Sequence, residues 1–200
     1  MRTLGKALLL SAFPLALCLW LGLVRATAGE RAVVNEARSC LGDVYDSSFY
    51  RGGPPPRGRG ACTDVIYWAY RPWLDLQQAV YQHRQGLPGV EPNRDLDYRW
   101  CPFLMDWCQS HAESLPTELN WKTWSSFRPG DVVFYDDGSG GPGHVGLVSD
   151  RLAWSGRRYL IHNNGPEARE EDALTSNRIV GHFRLAGVTG VTPGPQDRLP

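Results

Sequence analysis

Hydrophobic residues change their spacing along this chain at about residue 119. Before that point they recur at helical intervals, which predicts helices over residues 30–42, 61–71, 74–85 and 102–115. After it they form short β-branched or aromatic runs, which predict strands over residues 128–136, 144–150, 157–164 and 178–185. The chain therefore divides into a helical first part and a second part made of strands.

Turn chemistry supports the same division. Pro72 ends the second predicted helix, and Asp75 stands where its side chain can cap the third. The run DDGSGGPG between the first two strands is typical of a hairpin connection. Helices followed by a meander of strands predict an α+β domain, in which N-terminal helices pack on a C-terminal antiparallel β-sheet. Residues 45–60 form a loop rich in glycine and proline, and such loops often carry function.

Both ends of the chain are expected to lie outside this domain. Residues 1–28 have a basic start, an apolar core and the small residues Ala26–Ala28, which together predict a signal peptide. Residues 189–200 are expected to be a disordered tail, which leaves a single domain over residues 29–188. The protein is then exported, periplasmic or extracellular, with no stable membrane insertion after cleavage. An uncleaved anchor is the alternative, because the apolar run is long enough to span a bilayer.

Charge argues against one class of partner. The chain balances 21 basic residues against 21 acidic ones, and removal of the leader leaves a small acidic excess. It has no basic run and no nucleic-acid motif, so nucleic acid is not an expected partner. Eight tryptophans and eight tyrosines predict a substantial core and an aromatic-lined groove. We expect a monomer.

Four cysteines remain after the leader: Cys40, Cys62, Cys101 and Cys108. An even number in an exported protein permits two disulfides. Cys101 and Cys108 cannot bridge while both lie on one helix, because seven residues of helix rise roughly 10 Å. If Cys62 stays a thiol, at most one pair can form among the other three.

Cys62 is the first candidate for chemistry. It stands between the glycine-rich loop and the start of a predicted helix, where the helix dipole and backbone N–H groups stabilise a thiolate. A thiolate nucleophile needs an acid–base partner, which is usually a histidine. The alternative is that Cys62 is half of a disulfide or a small core residue.

Two histidines follow on neighbouring predicted strands. His144 opens the strand HVGLV, and His162 ends the strand YLIH. If these strands pair, the two rings can lie on one face of the sheet, so that His162 orients His144, with Asn163 or Asn164 as the alternative in that role. Both histidines could instead be structural. His182 is interpreted as structural, and Asp131 is expected to fix the turn before its strand.

A zinc site built from Cys62, His144 and His162 is the competing interpretation. The sequence contains no CxxC or HExxH spacing, and catalytic zinc sites usually show at least one local ligand pair. We therefore expect no metal and no cofactor.

Taken in order, these motifs resemble the NlpC/P60 superfamily of papain-like cell-wall cysteine hydrolases, and more closely the bacterial domain of unknown function 1287. The signature includes G-x-C-T-D-V, D-L-Q, D-x-R-x-x-P-x-L, P-G-D-V-V, G-H-x-G-L-V-S-D, H-N-x-G and G-H-F/Y-R. Its elements stand here at residues 62–65, 75–77, 97–104, 129–133, 143–150, 162–165 and 181–184. The sequence departs from the commonest superfamily pattern in having Ala61 before the cysteine and Thr63–Asp64 after it.

The resemblance implies a papain-like NlpC/P60-type fold and assigns Cys62 as nucleophile, His144 as base and His162 as third member. It implies hydrolysis of amide bonds through an acyl-enzyme, with peptidoglycan stem peptides as substrate. A tyrosine before the nucleophile, Tyr45 or Tyr50, is implied to shape the site.

Asp64 and Asn163 complete the expected substrate-binding set, although a helix cap is the other role for Asp64. A non-catalytic wall-binding domain on the same fold and a thiol acyltransferase are the alternative functions.

Overall fold

A computed structural model describes residues 26–136, 138 and 140–185. Within that part the helices are α1 (Ala28–Arg38), α2 (Cys62–Tyr70), α3 (Leu76–Gln85) and α4 (Cys101–His111). All four lie where the apolar spacing predicts them, with ends displaced by a few residues. The side chain of Asp75 accepts a hydrogen bond from the Gln78 amide at 3.1 Å, which confirms the predicted cap of α3.

The strands form two sheets. A short parallel pair joins β1 (Val44–Tyr45) to β2 (Arg59–Gly60) across the base of the glycine-rich loop. The main sheet has six antiparallel strands in the order β3-β8-β4-β5-β6-β7. These are β3 (Glu113–Ser114), β4 (Val132–Asp136), β5 (Pro142–Leu152), β6 (Arg158–Asn163), β7 (Ala168–Glu171) and β8 (Ile179–Arg184). The predicted α+β class is confirmed.

The sheet differs from the sequence prediction in the presence of strand β7 and in the position of strand β8. Strand β7, which the sequence does not predict, pairs with β6 at the edge of the sheet. Strand β8 does not continue the meander, because it returns to pair with β4 on the other side of the sheet. Both departures depend on pairing between distant residues, which local spacing does not report.

Both faces of the central strands are buried. Val145 and Leu147 of β5 pack in the core that the helices form, whereas Val148 packs in a second, smaller core on the opposite face. Gly146 lies between Val145 and Leu147 along the strand. A Cβ atom at this position would stand 2.7 Å from two carbon atoms of Leu160, so only glycine fits there without displacing the Leu160 side chain. The helical layer is therefore fixed against a sheet that has little freedom to shift.

Asp131 fixes the turn before β4, as expected. Its carboxylate accepts hydrogen bonds from the Arg128 amide at 2.7 Å and from the Arg184 guanidinium at 2.8 Å. The ring of His182 lies 3.0 Å from the same carboxylate and stacks on Phe127, in agreement with a structural role.

Several predictions about the chain ends fall on residues that the structure leaves out. Residues 1–25 of the predicted signal peptide and the predicted tail over residues 189–200 lie outside the described residues. Helix α1 begins at Ala28, and Thr27 caps it, so the predicted leader boundary falls in the first turn of this helix. None of the described helices is both long enough and apolar enough to cross a membrane.

Candidate active site

Cys62 is the first residue of α2, and its position is set by the residues around the helix start. The Asp64 carboxylate accepts a hydrogen bond from the Ala61 amide at 2.7 Å, which closes the first turn. Arg99 binds the same carboxylate at 2.9 Å and donates to the backbone oxygen of Asp46 at 2.9 Å. The buried Asp64–Arg99 pair thus joins the glycine-rich loop to the start of α2.

Asn163, the last residue of β6, anchors the chain segment before Cys62 to the main sheet. Its side-chain amide donates to the backbone oxygen of Gly60 at 2.8 Å and to that of Asp43 at 3.0 Å. Gly60 has a φ of 158° and leaves no room for a side chain, since a Cβ atom would stand 2.9 Å from that of Asp64. The nucleophile candidate is therefore anchored by both the helical layer and the sheet.

His144 and His162 lie together at the end of the β5–β6 pair. Leu147 pairs with Ile161 in this register, which places the two histidines diagonally on one face of the sheet. The Nε2 atom of His144 and the Nδ1 atom of His162 are joined by a hydrogen bond of 2.8 Å. Since Nε2 is engaged, Nδ1 is the ring nitrogen of His144 that remains for the thiol.

The sequence does not predict a further member of this chain of hydrogen bonds. The Nε2 atom of His162 lies 3.1 Å from a carboxylate oxygen of Glu171 on β7. Leu160 pairs with Glu171, so this carboxylate is a diagonal neighbour of His162 across the strands. No local signal reveals it, because β7 is a short, largely polar edge strand whose pairing is tertiary.

Cys62 has the electrostatic surroundings of a thiolate. A hydrogen bond from Cys101 is the largest of the effects that hold the pKa of Cys62 well below its ordinary value near 9, and hydrogen bonding and charge from His144 add to it. A hydrogen bond from the Val145 backbone acts in the same direction, and burial opposes all three. The sulfur atoms of Cys62 and Cys101 are 3.8 Å apart. The sequence does not predict this contact.

Burial sets the charge state of His162. It is the main cause of a lowered pKa for His162, the nearby His144 lowers it further, and Glu171 raises it in part. His162 is thus kept neutral to a lower pH than an exposed histidine, as suits a ring that orients its neighbour by hydrogen bonding.

The four expected substrate contacts divide into two pairs. Tyr45 is 44% exposed, and Tyr50 is half-buried with its hydroxyl donating to Asp46 at 2.6 Å. Asp64 and Asn163 are almost fully buried, and their polar atoms bond to the protein itself. Their geometry favours a positioning role over direct contact with substrate.

The remaining cysteines and possible metal ligands are also placed. Within the described residues Cys40, Cys62, Cys101 and Cys108 are buried, and no disulfide joins any two of them. The described residues contain no cluster of three or more histidine, cysteine or acidic side chains arranged to hold a metal ion.

Solved structures offer partial similarities. NlpC2 from Trichomonas vaginalis matches with a TM-score of 0.46 and 20% identity over 80% of this chain and 48% of that protein, so this chain spans about half its length. An N-acetylmuramoyl-L-alanine amidase from Bacteroides uniformis ATCC 8492 matches with a TM-score of 0.49 and 12% identity, over 78% of this chain and 97% of that one.

Sequence comparison is more specific. The uncharacterized protein YijF of Escherichia coli (strain K12) is 35% identical over 170 residues, which cover 76% of this chain and 80% of YijF. The model of a family described as a domain of unknown function, DUF1287, matches residues 32–185. The chain therefore belongs to the DUF1287 family, which confirms the resemblance drawn from the order of its motifs.

Proposed function

We propose that this protein is an exported cysteine hydrolase that cleaves amide bonds in peptidoglycan stem peptides through an acyl-enzyme. One observation carries the proposal. Hydrogen bonds of 2.8 and 3.1 Å link His144 to His162 and His162 to the Glu171 carboxylate, and hydrogen bonding and charge from His144 lower the pKa of the Cys62 thiol at the helix start. This is the arrangement of a nucleophile, a base and an orienting group that covalent catalysis requires.

The chemistry would proceed from the thiolate. Cys62 attacks the carbonyl carbon of the substrate, and a tetrahedral intermediate forms. The intermediate collapses to an acyl-enzyme as its C–N bond breaks, and His144, which holds the proton from the Cys62 thiol, protonates the leaving amine. His144 then takes a proton from the water that attacks the acyl carbon, which releases the acid product and the Cys62 sulfur. His162 holds the ring of His144 in place throughout, and Glu171 holds His162.

The start of α2 would stabilise the developing oxyanion. The backbone N–H of Cys62 belongs to the first turn of the helix, where no intrahelical acceptor is available to it. A donor in this role contributes about 3 kcal/mol of transition-state stabilisation. The capping bond of Asp64 fixes this turn, which explains why a buried carboxylate stands two residues after the nucleophile.

The substrate class rests on the resemblance of the motifs to cell-wall cysteine hydrolases. The surface beside Cys62 is compatible with an extended peptide, because the loop before α2 exposes aromatic and apolar side chains. Tyr45 and Phe49 are 44% and 57% exposed on this loop, and Trp100, the residue before Cys101, is 55% exposed. Exposed aromatic side chains of this kind can contribute to a binding surface.

Two measurements test the proposal. Reduced protein is first treated with iodoacetamide at mildly acidic pH, and the alkylated cysteines are identified by peptide mass spectrometry. Cys62 should react well before the buried Cys40 and Cys108, and a Cys62 that reacts no faster than an ordinary thiol would argue against a catalytic thiolate.

The second measurement follows the products. Purified peptidoglycan is incubated with the wild-type protein, with Cys62→Ala and with the control Cys108→Ala, and fragments are identified by mass spectrometry. Wild type and control should release a free amine and a free acid, whereas Cys62→Ala should lose about 10²-fold or more of the rate. Binding without cleavage would favour a wall-binding domain, and a new amide or ester would indicate a transferase.

A further inference from the structure

Cys101 is a cysteine for which the proposed mechanism has no use, and it lies against the nucleophile. It is the first residue of α4, as Cys62 is the first residue of α2, so the N-termini of two helices meet at this pair of sulfur atoms. The sulfur–sulfur distance is 3.8 Å, and both side chains are less than a tenth exposed. The end of α2 favours the thiolate form of Cys62, to which the Cys101 thiol can donate a hydrogen bond.

The other two described cysteines differ from this pair in their surroundings. Burial raises the pKa of Cys40 to about 12, and burial alone raises the pKa of Cys108 even further. Thiols of that kind are chemically inert in proteins. They provide matched controls within the same chain, since all four side chains are buried.

We propose that Cys62 and Cys101 form a reversible dithiol–disulfide couple, in which Cys101 is the resolving thiol and low-molecular-weight disulfides are the oxidant. A disulfide bond needs the sulfur atoms to approach from 3.8 Å to about 2 Å. The long sequence separation between the two cysteines does not oppose closure, because the fold has already brought them together.

The reaction balances in two steps. The Cys62 thiolate attacks one sulfur of R–S–S–R, which forms a mixed disulfide on Cys62 and releases one R–S⁻. Cys101 gives up its proton and attacks the Cys62 sulfur, which forms the Cys62–Cys101 bond and releases the second R–S⁻. The pair loses two electrons to R–S–S–R, and the proton of Cys101 ends on one of the released thiolates.

The consequence for activity rests on the proposed function. A sulfur bonded to Cys101 cannot attack a carbonyl, so the hydrolase would be inactive in its oxidised form and active when reduced. An exported protein meets oxidising conditions, where such a couple would govern the active fraction. The same bond would also protect the nucleophile from irreversible oxidation.

Glutathione disulfide is the probe for the experiment. Reduced protein is equilibrated with a series of glutathione and glutathione disulfide ratios, remaining thiols are alkylated, and peptides are mapped by mass spectrometry. Wild type and Cys108→Ala should yield a peptide linking Cys62 to Cys101. Cys101→Ser and Cys101→Ala should instead accumulate glutathione on Cys62, because no resolving thiol is present. Thermal unfolding of each variant verifies that it is folded.

Three outcomes would overturn the couple: a stable glutathione adduct on wild-type Cys62, a bridge to Cys40 or Cys108, or no modification of Cys62. None of these readouts needs hydrolysis. If the link forms but the reduced protein cleaves no peptidoglycan, the proposed function fails and the couple stands. If the reduced protein is active, its activity should fall in proportion to the linked fraction and return with reductant. If protein in which every Cys62 is linked to Cys101 kept full activity, the proposed control of hydrolysis by this disulfide would be refuted.

Discussion

At the scale of single residues, the candidate site is a chain of side chains in which each member fixes the next. His144 lowers the pKa of Cys62 through hydrogen bonding and charge, His144 is hydrogen-bonded to His162, and His162 is hydrogen-bonded to Glu171. Only the last of these is substantially exposed, with 48% of its side chain accessible to solvent. Glu171 is therefore the member whose replacement least disturbs the fold and most cleanly tests the orienting role.

Replacing Glu171 by Gln should reduce kcat by up to about tenfold, because a hydrogen bond to a charged group contributes about 1.5 kcal/mol or more and solvent weakens this one. Glu171 raises the pKa of His162, so its loss should lower that pKa and move the acidic limb of the pH–rate profile to lower pH. The measurement is the pH dependence of peptidoglycan cleavage. Glu167→Gln on the exposed surface is the control, and identical profiles for Glu171→Gln and wild type would contradict the role.

At the scale of elements, the site depends on contacts between the sheet and the loop that leads to α2. Asn163 at the end of β6 donates to the backbone oxygens of Gly60 and Asp43. These two bonds hold the chain segment before Cys62 against the strand that carries His162. Asn164, the next residue, is exposed and provides a matched control.

Asn163→Ala should lower the free energy of unfolding by about 1–3 kcal/mol, the contribution of two ordinary hydrogen bonds, and should also reduce the rate of cleavage because Cys62 is less firmly placed. Asn164→Ala should stay within about 0.5 kcal/mol of wild type. Urea denaturation measures both changes. Equal stabilities for the two variants would show that the amide of Asn163 does not anchor the loop.

The elements also show how far a sequence predicts this fold. Long periodic segments such as α3 and β5 are predicted because their apolar residues repeat at the spacing of the element itself. β7 is missed, since it is short, polar and held only by its pairing with β6. For the same reason the sequence does not predict Glu171, and the contact of Cys101 with Cys62 is not predicted because it depends on how two helices pack. Cys62 and His144 are identified from local motifs.

At the scale of the whole molecule, the ionisation of Cys62 is coupled to folding. The surroundings that lower its pKa come from separate parts of the chain: Cys101 from α4, His144 and the Val145 amide from β5. They converge only when the helical layer is packed on the sheet. In the unfolded chain the thiol returns to an ordinary pKa near 9 and binds a proton that the folded protein does not.

This difference gives a prediction with a definite sign. Between the lowered pKa of folded Cys62 and a pH near 9, the unfolded state binds more protons than the folded state, so the free energy of unfolding should rise with pH. The slope from this one group is at most about 1.4 kcal/mol per pH unit. Stability contributed by the thiolate is complete above the ordinary pKa and is lost as pH falls through the folded one.

Urea denaturation of reduced wild type, Cys62→Ala and Cys108→Ala between about pH 6 and pH 9 isolates this effect from other titrating groups. The difference in stability between wild type and Cys62→Ala should grow in favour of wild type as pH rises. Cys108→Ala should differ from wild type by a constant amount well below pH 9, because burial keeps that thiol protonated in the folded protein and its ordinary pKa near 9 keeps it protonated in the unfolded chain. A pH-independent difference for Cys62→Ala would mean that folding does not stabilise the thiolate, and the nucleophile would then have to be generated only when substrate binds.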